Sequence, residues 1–204
     1  MNKIMFNDKY GLTQAVLEGR KTMTRRIIPC PKTYKGNPVR GFRITGSKDI
    51  RLSVEIRVYD ESCNDFVPMY IQPKYEVGEV VAIAQSYNSF YDDSCDPRIF
   101  PSGEGWTNKM FVKSDLMPHH IEITGIKVER LQDISDEDCL KEGIIHAYTD
   151  NNGTKIYHTP HTKRGYLSTD VAQQAFAVLI NKVSGKDTWE RNSFVWMYEF
   201  KLFD

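Results

Sequence analysis

Nine residues of strict alternation, Ile50 to Val58, constrain this chain more than any other feature. Ile50, Leu52, Val54, Ile56 and Val58 are apolar, and Arg51, Ser53, Glu55 and Arg57 separate them. Successive side chains of a strand point to opposite faces, so this spacing predicts a strand with one dry face and one wet face. Phe66–Ile71 is expected to pair with it across a turn near Asn64-Asp65, making 32–73 a β-hairpin arm inserted in the chain. Three further strands are expected. Val80–Ala84 is a continuous apolar run after the Tyr75–Glu79 turn, Ile121–Arg130 alternates, and Phe194–Leu202 is rich in aromatics.

Helical spacing is confined to three short stretches. Leu12, Ala15 and Val16 predict a helix over 9–18, with Gly19 placed to stop it. Ser135 and Asp138 have capping spacing for a second helix, closed by Gly143. Thr169 or Asp170 is expected to cap a third, whose buried face would carry Val171, Ala175, Val178, Leu179 and Val183. Strands and helices do not alternate regularly, which argues against a doubly wound parallel sheet and for an α+β barrel with flanking helices. Residues 88–108 and 146–168 read as long polar loops. At 204 residues the chain is expected to form one domain, 1–204, able to bury a core without metals or disulfides.

Composition excludes several function classes. Lys+Arg and Asp+Glu both number 27, so no global field draws in nucleic acid, and any such role needs a local basic patch. No apolar run approaches a membrane span, and the first residues lack the apolar core of a secretory signal. Cys30, Cys63, Cys95 and Cys139 are far apart, without a CxxC or CxxH pair, so zinc is not expected; free thiols and a cytoplasmic setting are. No phosphate-binding glycine loop or HExxH segment is present.

Two segments carry candidate chemistry. In Arg20-Lys21-Thr22-Met23-Thr24-Arg25-Arg26, four of seven residues are cationic. Such crowding suits a phosphate or carboxylate partner and pushes a lysine toward neutrality, which makes Lys21 a candidate base. A solvated basic turn, with Thr24 capping it, is the plainer alternative. The second segment is the acidic helix after Leu131. Most of its acids lie early, where the helix dipole favours them, but Glu142 falls in the last turn. A Glu142 facing the core would have a raised pKa suited to proton transfer; one facing water would only pair with a cation.

Taken together, four blocks resemble the ASCH domain family of PUA-like β-barrels, in its long phage and prophage form. They are Ala15-Val16-Leu17-Glu18-Gly19-Arg20-Lys21-Thr22-x-Thr24-Arg25-Arg26, Val77-Gly78-Glu79-Val80, Val128–Asp138 continuing to Glu142-Gly143-Ile144, and Trp189–Phe200. The resemblance implies a mixed α+β PUA-like barrel without a cofactor or metal. It also implies a nucleoside, nucleotide or RNA as ligand. One branch of the family is an amidohydrolase that deacetylates N(4)-acetylcytidine through a lysine and a threonine of a G-R-K-T-x-T-x-R motif and a glutamate on a following helix. Those roles map to Lys21, Thr24 and Glu142. Arg20, Arg25 and Arg26 become candidate phosphate holders, with Arg26 also a candidate brace. Long relatives often carry an Arg–Glu pair after the Gly-Asp turn; here the positions hold Ala84 and Gln85, so Gln85 would present a different donor pattern to a ligand. Tyr87, Phe90, Tyr91 and Trp106 are candidate base-stacking rings or core residues, and His119-His120 a candidate contact or plain loop. The alternatives to an enzyme are a non-catalytic RNA- or nucleotide-binding module and a phage-related accessory protein that binds a protein partner through the arm.

Overall fold

The computed structural model describes residues 1–29, 32–47, 50–91, 103–160 and 167–203. Cys30, Cys95, most of the 88–108 loop and residues 161–166 lie outside them. The described chain is mixed α+β, dominated by strands. A curled, half-barrel sheet has the order β1 (Lys3–Ile4), β7 (Val80–Ile83), β8 (His120–Arg130), β12 (Phe194–Leu202) and β2 (Met23–Ile27). β1 runs parallel to β7; the other neighbours are antiparallel. Val81, Ile83, Ile121, Ile123, Val195, Tyr198 and Phe200 are buried, and they belong to the main core. β1 and β2 are the two edges of this sheet, and a seam lies between them. The Arg26 guanidinium bridges it: Nη2 donates to the carbonyl of Met5, at 2.6 Å.

The arm is corrected in shape and placement. Three long strands, β4 (Asn37–Ser47), β5 (Ile50–Asp60) and β6 (Asp65–Ile71), form an antiparallel meander, with the short β3 (Thr33–Tyr34) on the outer edge of β4. Its dry face does not project. Val54, Ile56 and Val58 join the main core, and Phe42 stacks on Phe194 of β12 with centroids 4.4 Å apart and planes 8° from parallel. β4 escapes the period-two reading because Pro38, Gly41 and Gly46 interrupt it. Gly41 has φ +70°, and the pairing with β5 shifts register between Arg40 and Arg43, as an inserted bulge residue requires.

The polar 146–168 segment is likewise partly sheet. β9 (Ile145–Thr149) pairs with β10 (Lys155–His158), which pairs with β11 (Ser168–Thr169). All five residues of β9 are exposed, so no alternation marks it; the turn is made by the Asp150 carboxylate, which accepts from the backbone of Asn152 and Thr154.

Among the described residues the helices are few and short. α1 spans Leu12–Leu17 only, because Gly11 at φ +63° breaks it from the preceding 3-10 turn, Asp8–Tyr10. α2 (Asp136–Lys141) begins at Ser135, whose hydroxyl accepts from the Asp138 backbone. α3 (Ala172–Ser184) is capped by neither Thr169 nor Asp170 in the expected way. Val171 holds the cap position without a side-chain bond, and Thr169 instead accepts from the Val171 backbone and donates to Gln174. Its buried face is Ala172, Ala175, Phe176, Leu179 and Ile180, rotated from the expected stripe, and Val171 is exposed. No helix among the described residues is long and apolar enough to cross a membrane.

Two cysteines are described, both as free thiols. Cys63 is exposed in the β5–β6 turn, and Cys139 is wholly buried in α2, where burial pushes its thiol up to about 12. An alkylating reagent applied to the native protein should modify Cys63 within minutes and spare Cys139 until denaturant is added, as read by peptide mass mapping.

Candidate functional site

Lys21 lies between the end of α1 and the start of β2, and local backbone bonds hold it there. Gly19 turns the chain at φ +70°, the Lys21 N–H donates to Ala15 of α1, and the Thr22 N–H donates to Lys141 of α2. The two helix ends are thereby tied to the edge strand, and the Lys21 side chain is driven inward, with 2% of its surface exposed. Its Nζ donates to the Glu142 carboxylate at 2.6 Å and to the Glu142 carbonyl at 2.7 Å. Residues 121 positions apart thus make one buried pair. Burial lowers the Lys21 pKa, and Glu142 opposes that shift without cancelling it.

The other oxygen of Glu142 accepts from Arg25 Nη1 at 3.2 Å. Arg25 also reaches Glu129 at 2.6 Å and Asp138 at 2.8 Å, and its side chain is fully covered. Every charge in this cluster therefore has a partner, the condition under which a buried ionic group is tolerated.

Gly143 makes the tight exit from α2 possible. Its φ is +104°, and an added Cβ would sit 3.3 Å from Leu12 Cδ2. Gly143→Ala should destabilise the fold by about 1 kcal/mol or more, measured by denaturant titration, since both the backbone and the packing oppose it.

Beside the pair opens a cleft of 370 Å³, lined by Lys21, Thr24, Arg26 and Glu142 on one side and by Phe176, Leu179 and Ile180 of α3 on the other. Thr24 is 5% exposed, and its hydroxyl bonds no described residue. Thr24 and Arg26 alternate on β2 and lie opposite Tyr198 and Trp196 of β12, so these four share one face of the sheet.

The arginines separate. Arg26 lines the cleft at the seam. Arg20 does not: it is exposed, pairs with Glu18 at 2.5 Å, and is outside the lining. Arg25 touches the cleft, but its N–H groups are committed to Glu129, Asp138 and Glu142, so it braces the site instead of holding a phosphate. Gln85 lies elsewhere, in a second cleft of 440 Å³ with Thr13, Ser86, Phe90 and His119, where its Oε1 is buried without a partner among the described residues. Tyr87 lines neither the Lys21 cleft nor the Gln85 cleft. It is buried against Phe90, Tyr91 and Trp106 beneath Ala82 and Ala84, because Gly105 leaves room for its ring. Among the described residues no group of three or more His, Cys, Asp and Glu side chains is placed to hold a metal.

Two features escape the sequence. The Arg25–Glu129–Asp138 brace joins three elements, and nothing local marks Glu129 as inward-facing. The apolar wall from α3 has a signal in the helix periodicity, but its orientation toward Lys21 has none. Comparison of the chain with protein-family models, with curated proteins and with solved structures finds no match.

Proposed function

We propose that this chain is an ASCH-type, PUA-like barrel that takes a nucleobase into the Lys21–Glu142 cleft and hydrolyses an acyl group from its exocyclic amine, as on N(4)-acetylcytidine. The observation that carries the reading is the buried contact of Lys21 with Glu142 in one cleft with a Thr24 hydroxyl that bonds no described residue. The curled sheet with flanking helices is compatible with the barrel.

The chemistry follows from the groups present. Lys21, biased toward its neutral form by burial, accepts the Thr24 proton as the hydroxyl oxygen attacks the acyl carbon. The C–N bond breaks, and the proton passes to the leaving amine. Water then cleaves the acyl-threonine ester, releasing the carboxylic acid and restoring Thr24. Neutral Lys21 keeps its two N–H groups on Glu142, which leaves its lone pair for the Thr24 proton. The third N–H so formed faces the oxyanion until that proton goes to the leaving amine. The α3 wall keeps one side of the cleft dry.

A non-catalytic module that binds the same ligand is the second reading. One observation favours it: both Lys21 side-chain bonds go to Glu142 and neither to Thr24, so the base–nucleophile contact is not preformed. Incubation with N(4)-acetylcytidine, followed by chromatography for cytidine, separates the two. Turnover upholds the enzyme. Saturable binding without turnover replaces it with the module.

A further inference from the structure

The cleft does not end at Arg26. Along the same seam lies another hollow, of 490 Å³, which shares Met5, Arg26 and Ile27 with the first. Lys74, Tyr75 and Trp196 line its far side. Three cations border it, and no carboxylate is among its lining residues. Lys3 is occupied, donating to the carbonyls of Met110 and Val112 at 2.7 and 2.8 Å. The other two are not neutralised. Neither Arg26 nor Lys74 has a carboxylate ion-pair partner among the described residues. Arg26 gives one N–H to Met5, and the Lys74 ammonium lies 5.1 Å from the Tyr75 ring centroid, with a single long contact, 3.5 Å, to the Lys3 carbonyl. Glu79, the acid whose charge also reaches Tyr75, is held by Asn2 and by the Glu76 backbone.

Two open cations facing one concavity without a counter-charge make an anion site, and a guanidinium with an ammonium suits phosphate. The placement adds a constraint. Thr24 and Arg26 point to one face of β2, two residues or about 6.8 Å apart. The Arg26 and Lys74 side chains carry their charges further along the seam, so a group acted on at Thr24 and an anion held at Arg26 are separated on the scale of one nucleotide.

We propose that the Arg26–Lys74 hollow is a phosphate site, and that the ligand along the seam is a phosphorylated nucleoside with its base over Lys21–Glu142. This rests on the reading of that cleft as a nucleobase site and sharpens it from nucleoside to nucleotide. The phosphate comes from a mononucleotide or from the backbone of an RNA strand; the chemistry recognised is the same.

Calorimetric titration tests it, with N(4)-acetylcytidine, its 5′-monophosphate, a short oligoribonucleotide containing it, and inorganic phosphate as probes. The proteins are the native chain and Lys74→Glu, chosen because Lys74 is exposed and its reversal leaves the Arg26–Met5 bridge in place. The native chain should bind the monophosphate about tenfold or more tighter than the nucleoside. In Lys74→Glu that gap should close through weaker binding of the monophosphate. A further gain for the oligoribonucleotide assigns the phosphate to a strand; none assigns it to a mononucleotide. Equal affinities in the native chain, or a gap that survives Lys74→Glu, overturn the phosphate site while the nucleobase cleft stands. If no nucleoside compound binds, the cleft reading falls, and inorganic phosphate alone decides the hollow. Binding lost in Lys74→Glu keeps the site as an anion site, and no binding overturns it.

Discussion

Glu142→Ala should lower the free energy of unfolding by about 3–5 kcal/mol, because it strips the carboxylate from two buried cations at once. Lys21 and Arg25 approach opposite oxygens of the same group. Arg25 keeps Glu129 and Asp138, but Lys21 keeps only a backbone carbonyl. The reverse substitution is milder: in Lys21→Ala, Glu142 still has Arg25. Denaturant titration should therefore rank Glu142→Ala as clearly less stable than Lys21→Ala, and equal losses would show that Arg25 does not share the carboxylate. A loss of this size is a large part of a typical domain's stability of about 5–15 kcal/mol.

The same pair has a signature in pH. An unfolded Lys21 takes up its proton near the ordinary 10.5, and the folded one only at lower pH. Between the lowered value and 10.5 the unfolded state holds more protons, so this residue makes stability rise with pH across that window. Tyr75 and Cys139, both pushed up to about 12 by burial, act oppositely above their ordinary values of 10.0 and 9.0. The difference between the native chain and Lys21→Met isolates the lysine: the variant should lack the rising component.

Turnover is the second large effect. On the proposed reaction, Lys21→Ala should reduce hydrolysis of N(4)-acetylcytidine by about 10²–10⁴-fold, the range for loss of a positioned base. Thr24→Ala should do the same by removing the nucleophile, whereas Thr24→Ser should retain a measurable rate. The native kcat/KM should climb with pH through the lowered Lys21 pKa, because the neutral amine is the acting form. A rate in Lys21→Ala within a few-fold of the native chain would remove Lys21 from the chemistry.

Much of this arrangement is legible in the amino-acid sequence. Alternation locates β5 and β8, aromatic content locates β12, which is buried on both faces over Val195–Tyr198, and the Ser135 cap locates α2. β4 and β9 are not legible: β4 is broken by glycines and a proline, and β9 buries nothing. The site is legible unevenly. A run of three arginines and a lysine shows charge but not destination. Arg20 stays in solvent with Glu18, Arg25 turns into the core toward Glu129, and Arg26 spans the seam to Met5. A turn separates Arg20 from the other two, one step of strand alternation separates Arg25 from Arg26, and only the partners on β8, α2 and the β1 edge decide which is which. Family resemblance groups Gln85 with Lys21, yet the Asp8–Leu17 segment places it in a different cleft.

The central claim is that the Lys21–Glu142 cleft receives the base, and a crystal structure of Thr24→Ala with N(4)-acetylcytidine tests it most directly. The acyl carbon is expected beside the position of the missing hydroxyl, the base against Leu179 and Ile180, and the sugar directed along the seam toward Arg26. A nucleoside seated instead against Gln85 and Phe90, with the Lys21 cleft empty, would contradict it.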